Sequence, residues 1–152
     1  MKPLVKKLAT TYPDLRFIAS NKFYWSPKEQ AVYYDVSKND EQGKWALIHE
    51  LSHGLLGHKN YRTDFELLQL EVAAWHKAEE VAKLFAIRIN QDHVQDCLDT
   101  YRDWLHARSK CPACGEHGIQ AKSSDYTCIN CQSVWHVSQE RFCRAYRRLT
   151  KK

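Results

Sequence analysis

Trp45-Ala-Leu-Ile-His49-Glu50-Leu-Ser-His53-Gly-Leu-Leu-Gly-His58 is the stretch on which the reading of this chain turns. Trp45, Ile48, Leu51 and Leu55 recur every three or four residues, which is the repeat of one helical face. The pattern predicts a helix over about 41–57 that Gly57 ends. His49 and His53 then stand one turn apart, about 6 Å along the axis, and point the same way. Two imidazoles so placed can reach one zinc ion at about 2.0–2.1 Å. Glu50 borders the same face, where it can reach a metal-bound water without ligating. Leu47, Ile48, Leu51 and Leu55 form the apolar back that packs against the rest of the domain.

A catalytic zinc needs a third protein ligand and an open fourth position. Thr63-Asp-Phe-Glu66 is a capping box that opens a second long helix, expected to run to about 89. Phe65, Leu68, Val72, Trp75, Ala82 and Phe85 make its apolar spine. Glu71 lies on that stripe, where an unpaired carboxylate is costly to bury and a cation would compensate it. His58 is a second candidate, although the loop would have to fold straight back over the metal. Glu66 belongs to the capping box, and Glu79 and Glu80 sit between Lys77 and Lys83 on a face expected to be solvated.

Working outward, residues 3–10 read as a short amphipathic helix. Residues 16–19, 23–25 and 31–34 are aromatic and β-branched with a Ser26-Pro27-Lys28-Glu29 turn, and predict a small antiparallel sheet. A further helix is expected over about 92–108, through Val94, Cys97, Leu98, Tyr101 and Leu105. At 152 residues, 43% hydrophobic and 27% charged, the chain can bury a core, and it is neither a disordered tail nor a coiled coil. No apolar run approaches the roughly 20 residues of a membrane span. The N-terminus lacks the pattern of a secretory signal, so a soluble, cytoplasmic protein with no membrane partner is expected.

Cys111-Pro-Ala-Cys114 and Cys128-Ile-Asn-Cys131 form two CxxC pairs, the spacing of a structural zinc ribbon. Four thiolates close a tetrahedron and leave no reactive position. Cys97 and Cys143 stand alone on predicted helical stripes and read as buried, inert thiols. Charge is uneven as well. Through residue 100 there are 13 Lys and Arg against 14 Asp and Glu, and from 101 onward 10 against 4. A final helix from about Ser138 is expected to turn Phe142, Ala145, Tyr146 and Leu149 inward. Arg141, Arg144, Arg147 and Arg148 would form its outer face, suited to phosphates or to an acidic protein partner. The fold class is therefore α+β, with a helical domain and its small antiparallel sheet over 1–109. A zinc-ribbon β-hairpin with a basic C-terminal helix fills 110–152.

The run His49-Glu-Leu-Ser-His53-Gly-Leu-Leu-Gly-His58, with a β-rich segment before it and a Glu-bearing helix after it, resembles the ImmA/IrrE-like zinc metallopeptidases over about residues 20–90. That resemblance implies a zincin-like domain with a gluzincin centre whose third ligand lies on a helix about twenty residues past the motif, where Glu71-Val-Ala-Ala-Trp75 matches. Glu80-Val-Ala-Lys-Leu-Phe85-Ala86 echoes the Glu-Ala-x-x-Phe-Ala signature of the group at another offset, so Glu80 is a rival ligand. The order of an HExxH helix and a C-terminal ribbon also resembles SprT-like proteases. Their third ligand is a histidine, for which the chain offers His58 or His76.

The expectation that follows is a zinc-dependent peptidase acting on a protein or peptide substrate. It would hold two zinc ions per chain: a catalytic one on His49, His53 and Glu71, with Glu50 as general base, and a structural one in the ribbon. The ribbon would recruit the enzyme to nucleic acid or to a protein. His58, Tyr61 and His76 are candidate oxyanion donors, and the Ala31–Tyr34 strand is the expected edge for an extended substrate. The alternative is a non-catalytic, zinc-stabilised module that binds nucleic acid or regulates, with no role for Glu50.

Overall fold

The computed structural model describes residues 1–122, 124–138 and 146–150. Among these residues four helices and seven strands follow in the order α1 (Lys2–Thr11), β1 (Arg16–Ser20), β2 (Tyr24–Ser26), β3 (Ala31–Asp35), α2 (Glu41–Leu55), α3 (Asp64–Leu84), α4 (Gln91–Ser109), β4 (Gly118–Lys122), β5 (Asp125–Cys128), β6 (Val134–Val137) and β7 (Arg147–Leu149). The fold is mixed α and β, as expected. Among the described residues no helix is long and apolar enough to cross a membrane.

The chain groups into two compact units, Met1–Asn60 with Leu70–Val94 and Tyr61–Gln69 with Gln95–Lys152. This differs from a cut after residue 109, because residues 61–69 and 95–109 group with the ribbon. A buried ion pair is one reason. Arg108, 1% exposed, donates from Nε to Asp64 Oδ2 at 2.5 Å, and the Tyr126 hydroxyl donates to the same oxygen at 2.5 Å. Arg108 lies over the Trp104 ring, and its carbonyl accepts the Trp135 indole N–H at 3.0 Å.

In the first unit the sheet has the order β1-β3-β2 and is not antiparallel throughout. β1 runs parallel to β3, whereas β2 is antiparallel to it. The central strand is thus β3, whose Ala31, Val32 and Tyr34 are buried. Both its edges are occupied, which removes Ala31–Tyr34 as an edge for substrate. α2 packs on β2 and β3. Asp40 caps it by accepting the Gly43 N–H at 2.8 Å, and Trp45, Leu47, Ile48 and Leu51 form its buried side.

α3 is buried along Glu71, Ala74, Trp75, Ala78, Val81 and Ala82, a helical stripe on which Glu71 sits four residues before Trp75. Its start departs from expectation, since Asp64 is buried and Phe65 is exposed. The stripe is one residue out of phase there because the ion pair with Arg108 draws Asp64 inward. The capping box holds in part: Thr63 Oγ1 accepts the Glu66 N–H at 3.0 Å, while Glu66 accepts from Arg62 N–H rather than from Thr63.

α3 ends at Leu84, five residues short of the expected end. Ala86 adopts φ +55, Ile87 N–H bonds Ala82 O at 2.9 Å and Ala86 N–H bonds Lys83 O at 3.2 Å, which together make a Schellman cap. α2 closes in the same way with Gly57 at φ +65, where Gly57 N–H bonds Gly54 O and His58 N–H bonds His53 O, both at 3.0 Å.

In the second unit the sheet order is β4-β5-β6-β7, all antiparallel. Residues 147–149 are therefore a strand and not part of a helix. Pairing satisfies the open backbone groups along β6, which a short helical turn could not do. Tyr146 and Leu149 are exposed, at 67% and 47%, where the helical reading turned them inward. Arg141, Phe142, Cys143, Arg144 and Ala145 lie outside the described residues.

The two Schellman caps yield a paired prediction. Ala86→Gly relieves a left-handed alanine and should raise stability by roughly 1 kcal/mol, whereas Gly57→Ala should lower it by a similar amount. Thermal unfolding of the two variants should move in opposite directions, by about 2–4 °C each.

Candidate metal centres

His49 and His53 come from α2 and Glu71 from α3, and their donor atoms converge within 4.8 Å of one another. Nε2 of His49 and Nε2 of His53 lie 3.2 Å apart. Glu71 Oε2 is 3.2 Å from the first and 3.7 Å from the second. Donors held about 2.0–2.1 Å from a tetrahedral zinc stand about 3.3 Å apart, so the spacing suits that ion. The chemistry of the donors points the same way. Two imidazole nitrogens facing each other at this distance can share at most one proton, and a carboxylate beside them adds another lone pair. A common cation satisfies all three.

The surroundings are dry. His49 and Glu71 are each 7% exposed. Burial by itself would raise the Glu71 carboxyl, but hydrogen bonds from His49 and His53, with their charges, outweigh it and hold the group well below the usual carboxylate range. The His49 ring stacks on Trp75, with centroids 4.2 Å apart and planes 28° apart. Its Nδ1 is buried and finds no hydrogen-bond partner among the described residues, so on that side stacking, not hydrogen bonding, supports the ring.

Glu50 lies beside the triad. Its Oε2 accepts the Trp25 backbone N–H, on edge strand β2, at 2.8 Å. Desolvation pushes its carboxyl up; the charges of His49 and His53 pull the other way, and that of Glu71 adds to the rise. Trp25 packs close to α2 at Gly54, where an added Cβ would come within 3.0 Å of the indole ring. A glycine at that position allows this approach.

The rival ligands fall elsewhere. His58 does fold straight back, but it meets the far side of His53: the two Nδ1 atoms are 2.9 Å apart. Burial pushes the His58 imidazole down, and the charge of His53 adds to this. Glu80 is exposed and paired with Lys77 at 2.8 Å. Glu79 accepts from the Gln91 side-chain amide at 2.8 Å. Tyr61 and His76 are exposed. The sequence reading missed the indole and backbone roles of Trp25; an aromatic residue just before the Ser26-Pro27-Lys28-Glu29 turn carried no signal of them.

Cys111, Cys114, Cys128 and Cys131 form the second cluster, again within 4.8 Å. The Sγ atoms of Cys111 and Cys131 are 3.7 Å apart, and those of Cys114 and Cys128 3.5 Å. A disulfide would bring sulfurs to about 2.0 Å; four thiolates on one zinc stand about 3.8 Å apart.

Two matching knuckles build this cluster. Cys111 N–H bonds Glu116 O and Cys128 N–H bonds Ser133 O, and the residue after each second cysteine, Gly115 or Gln132, has positive φ. Backbone N–H groups of Ala113, Asn130 and Cys131 point at sulfur at 3.4 Å, where they offset thiolate charge. The side chain and N–H of Ser133 hold the Cys131 thiol down at about 6. Behind the knuckles, Tyr126, Trp135 and Val137 complete the buried cluster with Cys111 and Cys128.

Of the four arginines expected to form a basic face, Arg147 donates to Lys110 O at 3.0 Å and Arg148 is exposed. Arg141 and Arg144 lie outside the described residues. Arg148 stands across from His136, which pairs with Asp125 at 2.9 Å, and Asp125 stands across from Lys122.

No family model matches the chain, and neither the curated proteins nor the solved structures contain a match to it.

Two independent centres predict a simple metal count. Zinc per chain in the wild-type protein should be two, falling to one in Cys111→Ser and to one in His53→Ala, as measured by atomic emission on desalted protein. Unfolding should respond unequally, with loss of the ribbon ion having the larger effect because four closed ligands contribute directly to folding.

Proposed function

We propose that the His49–His53–Glu71 centre is that of a zinc-dependent peptidase acting on a protein or peptide substrate, and that the ribbon recruits it to its target. The observation that carries the reading is a three-donor set with a second acid, Glu50, held beside it but pointed at a backbone amide. A site meant only to stabilise the fold would close its tetrahedron with a fourth ligand, as the four cysteines would around one ion.

A bound zinc would supply Lewis-acid polarisation of the scissile carbonyl and bring the pKa of a water down to about 7. His49, His53 and Glu71 are the residues that would hold it. Glu50 is the general base: with Oε2 bonded to the Trp25 N–H its orientation is set, and Oε1 takes the proton from the attacking water. The same oxygen returns that proton to the amine nitrogen as the peptide C–N bond breaks. Desolvation, by raising the Glu50 carboxyl, makes it a stronger base than an exposed glutamate. His58 meets His53 through Nδ1, which leaves its Nε2 as the only ring nitrogen that could donate to an oxyanion.

Glu50→Gln should retain both zinc ions and the wild-type fold while lowering the hydrolysis rate by at least about 100-fold, the usual contribution of a positioned base. Wild-type turnover by that variant in a peptide-cleavage assay would remove Glu50 from the mechanism and favour the non-catalytic alternative.

Exposed Arg148 and Lys122 on one face of the ribbon sheet support a role in recruitment. If the partner is nucleic acid, binding should weaken steeply with salt, and Lys122→Glu with Arg148→Glu should weaken it further and flatten the salt dependence. Fluorescence anisotropy with a labelled single-stranded oligonucleotide checks this; binding that ignores salt points to a protein partner instead.

A further inference from the structure

We propose that His58 is a positioning residue that sets the tautomer and orientation of His53, and that Trp25 holds it there; the proposal rests on reading the first centre as a metal site. A neutral imidazole carries one proton, and a hydrogen bond between two Nδ1 atoms 2.9 Å apart needs one donor and one acceptor. Nε2 of His53 faces His49 Nε2 and Glu71 Oε2. To offer that nitrogen to a cation, His53 must carry its proton on Nδ1. His53 Nδ1–H then donates to His58 Nδ1, so His58 accepts there and is neutral with its own proton on Nε2. A histidine thus occupies the place that a carboxylate or a carbonyl takes beside many metal-bound imidazoles.

The contact is built by the backbone. Gly57, at φ +65, reverses the chain after α2, and the His58 N–H bonds the His53 carbonyl at 3.0 Å. The two residues are therefore joined through main chain and side chain together. The Trp25 indole Nε1–H donates to the His58 carbonyl at 2.9 Å, which ties the loop to β2. The same Trp25 gives its backbone N–H to Glu50. One residue of the edge strand therefore holds both the base and, through His58, one of the ligands. His49 has no comparable arrangement: its Nδ1 finds no partner among the described residues and its ring rests on Trp75. Loss of His58 should consequently loosen His53 and leave His49 in place.

The experiment measures zinc affinity by competition with a chromophoric chelator, with the ribbon ion counted separately, in wild type, His58→Phe, His58→Gln and Trp25→Phe. Side-chain ¹⁵N NMR of the zinc-loaded proteins reads the His53 tautomer. His58→Phe should weaken zinc at this centre by about 10- to 100-fold while the ribbon keeps its ion. His58→Gln, whose side-chain carbonyl can accept the proton, should recover part of that loss, which a merely structural role would not do. Trp25→Phe keeps the ring and the backbone N–H and should weaken binding by a smaller factor.

Wild-type affinity and an unchanged His53 tautomer in His58→Phe would overturn the proposal and leave the metal centre standing. Should that variant fail to fold, the same result in Trp25→Phe overturns it. A wild-type protein that holds only the ribbon ion overturns the metal-site reading itself, and this proposal with it.

Discussion

Two imidazole nitrogens 3.2 Å apart, with a carboxylate oxygen 3.2 and 3.7 Å from them, compete for the same proton unless positive charge sits among them. In water the three groups would turn away and hydrate. Here they cannot, because His49 and Glu71 are buried and the rings are pinned from behind, His49 by Trp75 and His53 by His58. The first unit is arranged to keep this tension. The apolar back of α2 lies against β2 and β3, and Glu71 occupies the buried stripe of α3, where a carboxylate is tolerated only with compensation. Remove the shared charge, and burial of these groups has no physical reason.

Strand β2 contributes more than its three residues suggest. As an edge of the sheet it has backbone groups to spare, and at Trp25 the amide goes to Glu50. The indole of the same residue reaches the His58 carbonyl, and close approach at Gly54 brings the ring onto α2. A carboxylate fixed by a main-chain donor keeps its direction without spending a second side chain. That is the kind of support a positioned base requires, since small errors in placement weaken proton transfer strongly.

The ribbon unit is held by a different principle. Its two knuckles repeat one backbone pattern, and N–H groups aimed at sulfur make room for thiolate charge. Around them Asp64, Arg108 and Tyr126 form a buried polar network in which each charged group has a partner. Such a network adds little net stability over an apolar core of the same volume, but it is unforgiving of the loss of one member. Its effect on the fold is visible: it draws residues 61–69 and 95–109 into the unit that carries the cysteines.

Local patterns were legible from the residues alone. The HExxH helix, the acid on the following helix, the paired CxxC knuckles and the approximate bounds of α1, α2 and α4 all depend on spacings of a few residues, which the chain carries within itself. Decisions that required distant partners were not legible. Parallel pairing of β1 with β3 made β3 central. The ion pair with Arg108 turned Asp64 inward in place of Phe65, and the free edge of β6 recruited Arg147–Leu149 as a strand. That His58 meets Nδ1 of His53 and not the ligand side is likewise a matter of where the chain goes after Gly57. Periodicity and ligand spacing are short-range and survive in sequence; strand order, ion pairing and the side from which a ring is approached are settled only when separate segments meet.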